Sequence, residues 1–122
     1  GAMYSGYQAL LEGVGLTMND LERVIIGGGF GKSLNLVNAM AVGLLPELPV
    51  EKFTYIGNSS LTGATLAALS GSLWQKAKEI KAGLTNFELS ETPGYMDYFM
   101  ASQFLPHTQG DLFPRTLARR KK

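Results

Sequence analysis

The chain has 122 residues, of which 45% are hydrophobic, and a formal net charge of +1, as expected of one small folded domain or part of a larger one. It contains no cysteine, which excludes disulfide bonds, thiolate metal sites and a cysteine nucleophile within the chain. Five of the eleven basic residues lie within residues 115–122. This composition predicts a flexible basic tail over residues 108–122 rather than a nucleic-acid interface, which needs basic residues across a folded face.

The two ends of the chain give expectations about domain limits. Residues 1–3, Gly-Ala-Met, are typical of what remains after an affinity tag is removed, so native sequence is expected from Tyr4 onwards. Residues 4–107 then form the folded part. The sequence shows neither a secretory signal nor an apolar run long enough to span a membrane, which predicts a cytoplasmic protein without a membrane partner.

Helical and β-type patterns alternate through the first half of the chain. Apolar residues at helical spacing predict helices over residues 4–14 and 33–42. Short runs rich in β-branched and aromatic residues at 23–26 and 53–56 predict two strands, and each run ends in glycine.

The second half adds two helices, 59–70 and 72–82, with Leu73, Ala77 and Ile80 expected to face inward. Residues 87–89 predict a weak third strand, and Thr92 before Pro93 predicts the start of an aromatic helix that Pro106 ends. Strands that alternate with helices favour an α/β fold with a small, mostly parallel sheet flanked by helices.

The strongest local signal is the glycine-rich turn V-I-I-G-G-G-F-G-K-S at residues 24–33. Glycines let a backbone approach a ligand closely, and a helix that follows offers unpaired N–H groups to an anion. Two familiar motifs fail here, because Ile26 stands where a Walker A loop needs its first glycine and Lys32 stands where a dinucleotide fingerprint needs its last. A tight turn that only packs a helix on a sheet is the simpler alternative.

The other candidate positions have simple structural interpretations. The second glycine turn, residues 57–64, has the same strand–turn–helix context, with Asn58 or Ser59 suited to cap a helix. Lys32 can meet a phosphate or lie in solvent. His107, the one histidine, has no acidic neighbour in sequence, so a surface position is expected rather than a ligand or base. No catalytic or metal-binding residue is predicted.

Taken together, residues 26–31, 34–35, 41–46 and 57–64 resemble one branch of the ASKHA superfamily, which includes actin, sugar kinases and the seventy-kilodalton heat-shock proteins. That branch is the reductive activators of corrinoid proteins, including the activating enzymes of O-demethylases. The resemblance covers about residues 4–107 and implies an actin-like, ribonuclease H-like lobe.

The resemblance also implies a function. Such proteins use ATP hydrolysis to help return a corrinoid cofactor from Co(II) to Co(I), with magnesium bound upstream and a 2Fe-2S cluster on an N-terminal domain absent here. It implies that Gly27, Gly28 and Gly29, with Phe30 and Gly31, bind the adenosine, and that the partner is a corrinoid protein. The isolated fragment is expected to be inactive.

Two alternatives stay open from the sequence. The chain can be a non-catalytic interaction lobe that docks a corrinoid protein or a second protomer as a homodimer. It can also belong to another ASKHA member, such as the activator ATPase of a dehydratase. A lobe cut from its partner is expected to expose an apolar patch, which can drive dimerisation.

Overall fold

The computed structural model describes residues 2–120, so the predictions made for Gly1, Lys121 and Lys122 lie outside the described residues. The described chain divides into two compact units. The helical unit comprises residues 2–24, 34–53 and 87–120, and the glycine-turn unit comprises residues 25–33 and 54–86. Among the described residues, no helix combines the length and the apolar character needed to cross a membrane.

The helical unit contains four α-helices: α1 (Ala2–Gly13), α2 (Leu36–Ala41), α5 (Tyr95–Ala101) and α6 (Pro114–Arg120). Helix α1 buries Tyr4, Ser5 and Ala9, whereas Leu10 and Val14 of its apolar spacing are exposed. It packs against α5, where the Tyr98 hydroxyl donates a hydrogen bond to the Glu12 carboxylate. The predicted first helix is confirmed.

An aromatic cluster forms the centre of the helical unit. The ring of Tyr4 lies 5.1 Å from that of Phe113 and 5.3 Å from that of His107, measured between centroids. Tyr4 and Phe113 are fully buried, and burial raises the pKa of Tyr4 to about 12, with a further contribution from the negative charge of Glu47. Since His107 is only 7% exposed, the prediction of a surface histidine is wrong.

The C-terminal segment, whose composition predicts a flexible tail, contacts other residues of the helical unit over its described part. Residues 110–112 form a 3-10 turn and α6 follows from Pro114. Phe113 is buried in the aromatic cluster, and the carboxylate of Glu47 accepts hydrogen bonds from the first turn of α6. These contacts fix the segment although its own composition is basic and polar.

The glycine-turn unit carries most of β1 (Val24–Gly27) and β2 (Phe53–Gly57), which pair in parallel as a two-stranded sheet. Helices α3 (Ser59–Leu69) and α4 (Gly71–Ala82) follow and pack on each other. Asn58 caps α3, because its side-chain oxygen accepts the amide of Leu61 at 3.0 Å. The predicted α/β class and both strands are confirmed.

The apolar residues of α3 and α4 are exposed. None of the described residues in either helix is buried, and Leu69 is 81% exposed. The prediction that Leu73, Ala77 and Ile80 face inward is therefore wrong. Helix α3 has no single apolar face, because its leucines and alanines are interspersed with Ser59, Ser60, Thr62 and Thr65.

Two predicted boundaries differ from the structure. The third strand is absent from residues 87–89, and residues 89–91 instead form a 3-10 turn. Helix α5 begins at Tyr95 rather than after Thr92, because Gly94 has a φ of 79° and cannot continue a right-handed helix. It ends at Ala101, so Phe104 lies beyond the helix and is exposed.

Candidate functional site

The two glycine turns meet at one edge of the small sheet. Gly27 ends β1 and Gly57 ends β2, and the amide of Gly28 donates a hydrogen bond to the carbonyl oxygen of Gly57 at 2.7 Å. The carboxyl ends of parallel strands are the edge at which ligands bind in open α/β sheets. The strand pairing therefore brings both sequence-predicted turns to the expected position.

Two glycines of the first turn have a structural reason for their size. Gly28 has a φ of 95°, a conformation that side chains rarely adopt. A Cβ on Gly27 would lie 2.8 Å from the hydroxyl oxygen of Ser59, so the Ser59 side chain would have to move away. Both glycines shape the turn itself, apart from any role toward a ligand.

The tip of the turn is open. A Cβ on Gly28 or Gly29 would meet no other atom within 4 Å, so the backbone there is accessible. Phe30 is 93% exposed beside it. Gly31 differs, since it is buried and a Cβ there would lie 3.0 Å from side-chain carbons of Ile26 and Tyr55. The five predicted residues thus separate into an open tip and a packed base.

The chain after the turn does not continue directly into a long helix. Residues 31–33 form one 3-10 turn, and α2 begins only at Leu36, where the Asn35 side chain accepts the amide of Asn38 at 3.0 Å. The expectation that a helix N-terminus directly follows the glycines is therefore wrong. The absence of a Walker A sequence agrees with this geometry.

The second turn contributes residues that the sequence interpretation assigned only to helix capping and packing. Asn58 does cap α3, but Gly57 and Ser59 also contact the first turn. The signal that could have identified them is the repeated context of a strand that ends in glycine before a helix. Their contact makes the two turns one continuous surface.

This surface suits the nucleoside part of a nucleotide better than its phosphates. Open backbone groups can approach a base and a ribose closely, and an exposed aromatic ring can stack on a base. Residues 27–33 and 57–64 contain no carboxylate, so the turns offer no acidic ligand for magnesium. Lys32, exposed beside the glycines, is the one basic residue in them.

Comparison with known proteins gives consistent matches. A solved structure of a reductive activator for corrinoid, iron–sulfur protein superposes with a TM-score of 0.85 and 45% sequence identity, over 92% of this chain and 18% of that chain. The corrinoid activation enzyme RamQ of Eubacterium limosum is 34% identical over 99 residues, which are 81% of this chain and 17% of that protein. The chain thus spans less than a fifth of the length of either relative.

The match to a family extends over almost the whole sequence. The family described as the C-terminal domain of RACo, the ASKHA domain, matches residues 1–117 and so includes both glycine turns and both units. The α/β fold, the adjoining turns and this coverage agree with one another. The chain belongs to the family of RACo C-terminal domains, the ASKHA domain.

Proposed function

We propose that this chain forms the adenosine-binding side of the nucleotide site in a longer, cytoplasmic reductive activator of a corrinoid protein. The observation that carries the proposal is the open backbone at Gly28 and Gly29. The turn is held by the hydrogen bond from Gly28 to Gly57 and by the close approach of Gly27 to Ser59. The names of both relatives, a corrinoid activation enzyme and a reductive activator, support the role of the longer protein.

Each turn residue has a distinct part in this proposal. Gly28 and Gly29 bring bare backbone against the base and ribose, Phe30 lies at the rim, and Gly27 and Gly31 keep the turn packed on its base. In the longer protein, one electron delivered through its 2Fe-2S cluster reduces corrinoid Co(II) to Co(I), and ATP hydrolysis supplies the free energy for this uphill transfer. Residues that hold the phosphates and magnesium come from elsewhere in the longer protein, as does any 2Fe-2S cluster, since this chain has no cysteine.

Amide chemical shifts test this assignment directly. Titration of the chain with adenosine, and then with ATP and magnesium, is expected to shift the amides of residues 27–31 and 57–59 in a saturable way. Gly29 does not have a positive φ, so Gly29→Val adds a side chain at the open tip without straining the backbone. This variant is expected to abolish the shifts. Gly71→Ala, also in open space but at the start of α4, is the matched control and is expected to leave them unchanged.

Measuring ATP binding to the full-length protein is the decisive test. A longer chain contains the phosphate-binding residues, so its affinity for ATP is expected to exceed that of the fragment and to fall with Gly29→Val. If Gly29→Val bound ATP as well as the wild type in the full-length protein, the adenosine assignment would be wrong.

A second candidate function rests on a separate observation. The exposed apolar faces of α3 and α4 favour a lobe that docks a corrinoid protein or a second protomer without taking part in catalysis. Replacing Leu69 and Leu73 with serine would then lower the apparent mass in light scattering, or weaken binding of a purified corrinoid protein. Unchanged mass and unchanged binding would exclude this role for the two helices.

A further inference from the structure

A small notch on the helical unit is lined by both apolar and charged residues. It has a volume of about 90 Å³. Its lining combines apolar Val37, Met40 and Val50 with Glu47 and Thr116 and with the two arginines of α6, Arg115 and Arg119. The notch lies in a different unit from the glycine turns and takes no part in the proposed nucleotide site.

The two arginines form a concentrated positive charge and make no ion pair within the described part of the chain. Arg115 and Arg119 are four residues apart on α6, so they lie on the same face of the helix, and both are exposed. The ion pair found within residues 2–120 is Lys76–Glu79, on α4. Like charges at this spacing destabilise a helix slightly, so an oppositely charged group between them is favourable.

Among the described residues, Glu47 forms no ion pair with either arginine, and its negative charge leaves the notch with a net charge of +1. One carboxylate oxygen of Glu47 accepts the backbone amide of Arg115 at 3.0 Å. The other accepts the amide of Thr116 at 2.9 Å and its hydroxyl at 3.1 Å. The carboxylate is therefore committed to the start of α6, and together with buried Phe113 it holds the helix in place.

We propose that this notch binds an acidic segment of a partner protein. A carboxylate of the segment lies between the guanidinium groups of Arg115 and Arg119, and a neighbouring apolar side chain covers Val37, Met40 and Val50. Guanidinium groups match carboxylates in geometry and are weakly hydrated, which suits them to protein interfaces. The apolar lining favours a polypeptide over free phosphate, because an inorganic ion gains nothing from apolar contact.

The test uses the whole chain and a defined peptide. A fluorescein-labelled peptide of four Glu-Leu repeats is titrated with the protein, and binding is followed by anisotropy. We expect saturable binding that weakens as sodium chloride is raised, because surface charge interactions are screened by salt. The double variant Arg115→Gln/Arg119→Gln is expected to bind roughly tenfold more weakly, since two charge-assisted contacts are lost.

Matched controls separate the notch from the net charge of the protein. Lys78→Gln/Lys81→Gln removes the same charge from α4 and is expected to leave binding unchanged. Arg115→Lys/Arg119→Lys keeps the charge but loses the planar fork, so intermediate binding is expected. Circular dichroism of each variant confirms that the helices are retained, because glutamine and lysine are both good helix formers.

Several outcomes would overturn the proposal. Equal binding of a peptide of Gln-Leu repeats would show that the carboxylates are not recognised. Equal binding of Glu-Ser repeats, with displacement by inorganic phosphate at millimolar concentration, would show a general oxyanion site instead of a docking site. An equal loss with the α4 control, or no binding of the Glu-Leu peptide, would also exclude it.

Discussion

The carboxylate of Glu47 accepts hydrogen bonds from the amide and the hydroxyl of Thr116, which lies 69 residues further along the chain. Its second oxygen accepts the amide of Arg115. Because α6 begins at Pro114, which has no N–H, these two amides are the first that need an acceptor. A residue of a distant connecting segment thus provides the cap that usually comes from the residue before the helix.

Removing this cap should destabilise the C-terminal segment. Glu47→Ala is expected to lower the free energy of unfolding by about 1–2 kcal/mol, because it leaves the first amides of α6 without an acceptor. Urea denaturation followed by circular dichroism measures the change. Glu22→Ala is the control, since Glu22 is exposed and lies outside every helix and strand. Equal midpoints for the two variants would show that the distant cap contributes nothing.

Gly43 ends α2 at a point of close backbone approach. It has a φ of 71°, and a Cβ there would overlap the carbonyl oxygen of Pro106, which belongs to the backbone and cannot rotate away. Gly43→Ala is therefore expected to lower the free energy of unfolding by at least about 3 kcal/mol. This is more than the roughly 1–2 kcal/mol expected for a left-handed non-glycine residue alone.

The control for this variant is Gly6→Ala. Gly6 lies within α1, and a Cβ there would make an ordinary contact at 3.6 Å with Leu89. Alanine favours helix over glycine by up to about 1 kcal/mol, so the control should be slightly stabilised. Thermal unfolding of both variants measures the difference, and a Gly43→Ala protein as stable as the control would contradict the close approach to Pro106.

His107 makes stability depend on pH. Burial among aromatic rings lowers its pKa below the ordinary 6.5, its Nδ1 accepts the amide of Gln109, and its Nε2 is buried without a partner among the described residues. The unfolded chain therefore binds the proton more readily than the folded one. Its contribution to stability is complete above about pH 6.5 and is lost as pH falls below that value toward the folded pKa.

Urea midpoints measured between pH 7.5 and 5 should accordingly fall as pH is lowered. His107→Phe retains an aromatic ring and removes the titrating group. The urea midpoint of this variant should therefore depend much less on pH over that range, whatever its stability at pH 7.5. Carboxylates such as Asp20, whose pKa is lowered by hydrogen bonds from Thr17, act only at lower pH. An unchanged slope in His107→Phe would assign the dependence to other groups.

The sequence predictions were accurate where the structure depends on local interactions and failed where it depends on contacts between residues far apart in sequence. Both strands and their glycine ends were predictable because β-branched runs and glycines act locally. The contacts of the C-terminal segment were not, because Phe113 packs on Tyr4 and Thr116 donates to Glu47, and these residues are far apart in sequence. The burial of His107 depends on the same cluster, so composition near residue 107 gave no sign of it.

The candidate site shows the same limit. The sequence indicated each glycine turn separately, but only the parallel pairing of β1 and β2 places Gly28 against Gly57 and Gly27 against Ser59. Pairing partners of short strands are set by the whole fold and not by the strand itself. The contribution of the second turn to the site therefore required the structure.

The last prediction separates backbone strain from ligand contact at the open tip. Gly28 and Gly29 both face open space, but only Gly28 has a positive φ, 95°. Gly28→Ala is expected to lower the free energy of unfolding by about 1–2 kcal/mol, whereas Gly29→Ala should change it by less than about 0.5 kcal/mol. Urea denaturation of the two single variants without nucleotide measures this difference. Equal stabilities would show that the turn relaxes to a conformation open to any residue, and glycine at position 28 would then be needed only for a ligand.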